Sequence, residues 1–273
     1  MLGKYTDLVR SAHPLIHNIT NYVTVNDCAN VLLACGGSPI MADDAAEVEE
    51  ITSICSGLNI NIGTLNERTI KSMLLAGKKA NELSHPVVLD PVGAGASSLR
   101  TNTAKLLLKE VKFSVIRGNI SEIKAIALGS SETQGVDANE LDAVTEQNLA
   151  DSAAFAKSFA AQTGSVVAIT GAIDIVADAE RAFAIRNGVP AMACITGSGC
   201  MLSAMTAAYL VAGGCDVEAA SAAVCAMGVC GEKAFAKMQE TGAGNASFRN
   251  YLIDAVYNLT GAELDRAANF EVM

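Results

Sequence analysis

The chain has 273 residues, with 19 Lys+Arg against 29 Asp+Glu for a formal net charge of −10, only 4% aromatic residues and no Trp. A nucleic-acid-binding protein needs a basic footprint for phosphates and aromatic rings for bases, so this balance excludes one. Hydrophobic residues at 51% against 18% charged exclude a disordered chain, and the length leaves room for a large core in one domain or two.

The opening MLGKYTDLVRSAH lacks the apolar core and small-residue cleavage site of a secretory signal, so nothing directs secretion. His13 and His17 form H-x-x-x-H, but Pro14 lies between them and no Glu follows His13, so they read as structural and not as a helical zinc motif. Four short β-branched runs read as strands covered on both faces: Leu58–Ile62, Pro86–Asp90, Phe113–Arg117 and Val166–Thr170. Between them, Thr64 and Glu67 form a T-x-x-E capping box ahead of ERTIKSMLLAGKKANELS, and Thr101 opens the helical pattern NTAKLLLKEV. Strand, helix, strand at this spacing predicts right-handed βαβ units and an α/β fold with a mainly parallel sheet.

After Thr170 the pattern changes. DIVADA, RAFAIRNG with its Asn187-Gly188 turn signal, and MACIT read as antiparallel hairpin strands appended to the sheet edge. The remainder reads as helices over Ser198–Gly213, Val217–Glu240 and Phe248–Asp265. Asn187 to Cys215 carries no charged residue and exceeds a bilayer span, but Pro190 and the glycines at 197, 199, 213 and 214 make it a strand, a turn and a buried helix rather than a membrane segment. Without linker, repeat or low-complexity block, residues 1–273 read as a single domain. The eight cysteines include no C-x-x-C pair and read as reduced thiols in a cytoplasmic core.

In an open parallel sheet ligands gather beyond the carboxyl ends of strands, so the residues ending these runs are the candidates for chemistry. Thr196-Gly197-Ser198-Gly199-Cys200 leads into the most apolar helix, where two glycines leave backbone N–H groups at the helix mouth for an anion. A thiol in that first turn is expected to have a lowered pKa. Asp90 ends its strand and Asn119-Ile120-Ser121-Glu122 follows another; N-x-x-E is equally a capping box or, with Asp90, a carboxylate pair for Mg²⁺. Arg117 ending a buried strand needs an anionic partner, whereas Thr170 is compatible with simple strand propensity. GAGASS at 93–98 is a G-x-G-x-x-G broken at Ser98, and the chain has no G-x-x-x-x-G-K-[ST] loop and no H-R-D or D-F-G set. Phosphate, if handled, falls to the G-S-G turn.

Taken together, PLIHNITNYVTVNDCANVLLACGGSPIMAD (14–43), NINIGTL (59–65), VVLDPVGAGAS (87–97), RGNISEI (117–123), AITG (168–171) and ITGSGCMLSA (195–204) resemble the hydroxyethylthiazole kinase family of ribokinase-like small-molecule kinases. The resemblance implies ATP-dependent phosphorylation of the hydroxyethyl group of 4-methyl-5-(2-hydroxyethyl)thiazole in thiamine biosynthesis or salvage. It assigns Met41 and Gly197 to the thiazole alcohol, Arg117 and Thr170 to ATP, and Asp90 and Glu122 to Mg²⁺. It sets Cys200 where most ribokinase-like enzymes carry an aspartate base in G-x-G-D, with Ser198 and Gly199 completing an anion hole. It also implies a homotrimer with active sites at subunit boundaries, to which Asn26 and Met41 belong; neither nucleic acid nor membrane is an expected partner. Alternatives remain: hydroxymethylpyrimidine kinase or another ribokinase-like enzyme such as a hydrate dehydratase, a nucleotide-binding protein without catalysis, or a hydrolase using Cys200 as nucleophile, which would need a His partner from His13, His17 or His85.

Overall fold

The computed structural model describes residues 1–128 and 143–273. Its centre is one nine-stranded sheet in the order β2-β1-β3-β4-β5-β6-β7-β8-β9. The parallel part comprises β1 (Leu15–Ile19), β2 (Ser38–Met41), β3 (Gly57–Asn61), β4 (Val87–Asp90), β5 (Val115–Asn119) and β6 (Val166–Thr170). Three antiparallel strands extend it, β7 (Asp174–Ala177), β8 (Ala182–Ile185) and β9 (Phe270–Val272).

Alternate residues of β1, β4, β5, β6, β7 and β8 feed two separate cores, as the two-residue period of a strand requires. On one face Ile16, Val88, Val115, Val166 and Val176 pack with α1 (Gly3–Ala12), α2 (Val25–Cys35), α8 (Ser198–Gly213), α9 (Val217–Thr241) and α10 (Asn245–Asn258). On the other, Leu58, Ile60, Leu89, Ile116 and Ile169 pack with α4 (Glu67–Glu82), α5 (Ser98–Glu110), α6 (Ile120–Leu128) and α7 (Leu149–Thr163). Two short helices, α3 (Val48–Ile54) and α11 (Gly261–Ala267), complete the described α-helices. Every residue of α8 from Cys200 to Leu210 is buried, which explains why that segment has no polar face. Among the described residues, the one helix long and apolar enough by length and composition to cross a membrane is Val217–Thr241, and 78% of its apolar window is buried in the fold.

Several expectations need correction. MACIT is not a strand: Pro190 sits at the first helical position of a 3₁₀ turn, Pro190–Cys194, and the outermost strand is β9 from the end of the chain. The G-S-G turn therefore follows that 3₁₀ turn and not a strand. The capping box at the start of α4 is formed by Asn66 and Thr69, while the Thr64 hydroxyl instead accepts from the Tyr22 N–H. Ser97, not Thr101, caps α5. The expected helix over 248–265 is two helices, parted at Leu259 and capped anew by Thr260. Arg117 lies inside β5, because Gly118 and Asn119 continue the ladder opposite Ile169 and Thr170.

Candidate active site

The carboxyl ends of β3, β4, β5 and β6 meet the first turn of α8. Gly197, at φ +87°, begins that helix in the left-handed region, and a Cβ there would overlap the Thr24 side chain. A Cβ on Gly199 would overlap the Arg117 guanidinium, so the two glycines of G-S-G serve two different close approaches. No side chain caps α8, which leaves its first N–H groups and the positive end of its dipole facing outward. The Ser198 hydroxyl donates to the Met192 carbonyl at 3.1 Å, so Ser198 offers the opening its backbone.

A cavity of about 440 Å³ opens here, lined by Asp90, Arg117, Asn119, Glu122 and Gly197–Cys200 among others. Arg117 donates to the Thr170 hydroxyl at 2.6 Å and lies 3.7 Å from Asp90 Oδ2. Asp90 is fully buried, and its Oδ2 accepts from Asn61 and Ser203, both at 2.8 Å. Asp90 Oδ1 and Arg117 Nε are buried with no partner among the described residues. A buried acceptor and a buried donor left open on one cavity each cost about 1–3 kcal/mol, which a ligand carrying both charges would recover.

Of the two expected uses of Asn119 and Glu122, the capping box is the one their hydrogen bonds bear out. Their capping box is formed, with Asn119 N–H donating to Glu122 Oε2 and Glu122 N–H to Asn119 Oδ1, each at 2.8 Å. Glu122 Oε1 additionally accepts the Gly93 N–H at 2.7 Å, tying the glycine loop after β4 to α6. Burial first, then the neighbouring Asp90, pushes the Glu122 carboxyl up to about 7 despite those N–H groups. Burial also raises the Asp90 carboxyl, against Arg117 and its two hydrogen bonds.

Cys200 departs from expectation. Its thiol is pushed up, by burial foremost and by Asp90 next, so the helix terminus does not activate it as a thiolate. Its Sγ accepts from Asn61 Nδ2 at 3.2 Å and Asn21 Nδ2 at 3.3 Å. The histidines supply no base, since His17 is buried between Thr52 and the Ala42 carbonyl, His13 meets the Gly36 carbonyl at the end of α1, and His85 precedes β4, at the opposite end of that strand from Asp90. Met41 is apart from this group, at the carboxyl end of the edge strand β2 opposite Asn18.

A second cavity of about 560 Å³ shares Arg117, Asn119, Ser198 and Gly199 with the first and extends past Thr170 between Met192, Leu202, Val224 and Met227. Its apolar walls suit a flat ring, and the shared guanidinium and helix terminus suit an anionic chain crossing from one cavity to the other. Asn21, Asn61 and Ser203, which fix Asp90 and Cys200, carry no recognisable motif; the position of Asn61 at the end of β3 was the available signal.

The sequence model of the hydroxyethylthiazole kinase family matches residues 7–262. The chain is 63% identical over 272 residues to hydroxyethylthiazole kinase of Clostridium acetobutylicum, with 99% of each covered. Among solved structures, hydroxyethylthiazole kinase protein from Pyrococcus horikoshii OT3 is similar at a TM-score of 0.89 and 33% identity, covering 100% of this chain and 98% of that one. Pyridoxal kinase from Staphylococcus aureus, in complex with AMP-PCP and pyridoxal, is similar at 0.55 and 14% identity over 95% of this chain and 98% of that one, a likeness of ribokinase-like fold alone.

Proposed function

The chain belongs to the hydroxyethylthiazole kinase family, and from that membership we propose that residues 1–273 form one catalytic unit transferring the γ-phosphoryl group of ATP to the hydroxyethyl oxygen of 4-methyl-5-(2-hydroxyethyl)thiazole, a step of thiamine salvage. The observation that carries it is the pair of open, buried, oppositely charged atoms, Asp90 Oδ1 and Arg117 Nε, on one cavity at the uncapped start of α8.

In this reading the apolar cavity holds the adenine, and Arg117 and Thr170 hold the phosphate chain. The N–H groups of Ser198, Gly199 and Cys200 face the transferring phosphoryl group. Its transition state is loose and spreads charge over three oxygens, so positioning and fixed donors supply most of the rate. Little deprotonation of the alcohol is needed early. The neutral thiol of Cys200 therefore suffices to orient the hydroxyethyl oxygen, with Gly197 and Met41 as further contacts to the alcohol.

Magnesium fits this group in a limited way. Asp90 Oδ1 is an open acceptor, but both Glu122 oxygens already accept backbone N–H groups, and no cluster of three His, Cys, Asp or Glu occurs among the described residues. That donor set suits Mg²⁺ held by substrate phosphates and water, with Asp90 and Glu122 orienting its shell. When bound, the ion would neutralise phosphate charge.

We further read the enzyme as a homotrimer in the cytoplasm. Exposed Tyr22, Val23 and Leu33 at 79%, 56% and 57%, beside exposed Asn26 and half-buried Met41, support a subunit boundary next to the site. The eight free cysteines support a reducing compartment. A panel of alcohols with γ-labelled ATP tests the substrate: label in the thiazole is expected, and label in hydroxymethylpyrimidine or pyridoxal alone would refute the assignment.

A further inference from the structure

Asn61 is the point at which four parts of the site meet. Its carboxamide has two N–H donors and an oxygen with two lone pairs, and all four are used. Nδ2 donates to Asp90 Oδ2 at 2.8 Å and to Cys200 Sγ at 3.2 Å. Oδ1 accepts from Gly63 N–H at 2.9 Å and from Asn21 Nδ2 at 3.0 Å. The orientation of the amide is fixed by this set, because a flip would turn its N–H groups against the donors of Gly63 and Asn21.

The partners of Asn61 are themselves locked. The oxygen of Asn21 accepts from both the N–H and the hydroxyl of Thr24 at 3.1 Å, and Thr24 is the side chain against which Gly197 packs. Gly63 has no room for a side chain between Asn21 and Asn61, and its carbonyl accepts from Arg100 at 2.8 Å. Arg100 also holds the Val92 carbonyl at 2.7 Å, in the loop after β4. One buried amide thus connects the loops after β1, β3 and β4 with the first turn of α8.

We propose that Asn61 is a positioning residue that sets the Asp90 carboxylate and the Cys200 sulfur at a fixed separation, so that the phosphoryl-holding side and the alcohol-holding side of the site stay in register during transfer. The inference rests on the phosphoryl-transfer reading above. It assigns Asn61 no contact with substrate. Neither Asp, which lacks the donors, nor Gln, which is longer by a methylene, can reproduce the four-way bond.

The test is a double-mutant cycle on the full chain with the thiazole alcohol saturating and ATP varied. It compares Asn61→Ala and the near-isosteric Asn61→Asp in wild-type and Cys200→Ala backgrounds, with melting temperature measured for each. A misplacement of about an ångström costs on the order of 10²-fold in turnover, so kcat is expected to fall by about that factor while KM for ATP stays within about threefold. In the Cys200→Ala background, where the sulfur it holds is gone, the loss should shrink to below about tenfold. Equal losses in both backgrounds, a loss confined to KM, or unchanged kcat would overturn the inference. If Asn61→Ala does not fold, Asn61→Asp decides alone. Absence of thiazole phosphorylation by the wild-type chain would defeat the underlying reading, whereas turnover with additive losses defeats the role of Asn61 only.

Discussion

Arg117 passes so close to Gly199 that a Cβ on residue 199 would overlap its guanidinium. The glycine is there to let a buried cation lie across the start of α8, where the helix terminus and the guanidinium together make a site for anions. Gly199→Ala is expected to displace Arg117 from Thr170 and raise KM for ATP by about tenfold or more, a loss of roughly 1.4 kcal/mol in binding. The melting temperature should change little, because the far end of Arg117 can move. Titration with ATP in a calorimeter checks this; unchanged affinity would show that Arg117 does not hold the nucleotide.

Lysine should not replace arginine at 117. Arg117 reaches Thr170 at 2.6 Å and lies 3.7 Å from Asp90, a span that uses the planar fork, and a single ammonium cannot serve both. Arg117→Lys is expected to lose about 10²-fold or more in kcat/KM for ATP, in line with removal of a fixed transition-state donor. Steady-state kinetics with the thiazole alcohol fixed checks it, and a loss below about fivefold would contradict it.

At residue 200 the account predicts a tolerant site. A carboxylate introduced by Cys200→Asp would find the Asn21 and Asn61 amides already aimed at it, so kcat should be kept or raised. Cys200→Ala should lose far less than the roughly 10⁶-fold expected for a covalent nucleophile. Complete loss of turnover in a folded Cys200→Asp protein would overturn the orienting role.

The stability of the metal-free protein should carry the signature of Glu122. Folded, its carboxyl keeps a proton up to about 7; unfolded, it releases it near the ordinary glutamate value of 4.5. Between those values the native state binds more protons than the unfolded one, so stability falls as pH rises through that window. Asp90, also raised, acts in the same direction. Melting temperatures taken between about pH 5 and about pH 7 should decline, and the decline should flatten in Glu122→Gln. A rise across that range in the wild-type chain would contradict the burial of these carboxyls.

Much of this fold is written in apolar runs. β4 up to Asp90 and β6 are continuous apolar segments covered on both faces and were legible for that reason, while β3 was legible from Leu58 and Ile60 although Asn59 and Asn61 alternate with them. β1 and β2 were not, because His17, Asn18 and Pro39 interrupt the apolar pattern, and the partners of His17 (Thr52 and the Ala42 carbonyl) and of Asn18 (Asn59) come to them only in the folded chain. MACIT looked like a strand by composition, yet Pro190 and the turn that follows made it a 3₁₀ segment. In the site, Asp90, Arg117, Glu122 and the G-S-G turn were legible as strand ends and a helix mouth. The asparagines were not, since strand propensity counts Asn as unfavourable and four-way bonding is a property of the assembled loops. The sign of the Cys200 shift was also hidden: it follows from burial first and from Asp90 next, and burial is known only once α8 is packed.

The most direct measurement is single-turnover transfer from γ-labelled ATP to the thiazole alcohol, with wild-type enzyme in excess and with Asp90→Asn beside it. The account predicts one thiazole phosphate and one ADP per ATP for the wild type. In a folded Asp90→Asn protein it predicts transfer slower by on the order of 10³-fold, the scale set by removing a group that acts on the transition state. Label released only as inorganic phosphate by the wild type, or an undiminished rate in the variant, would contradict it.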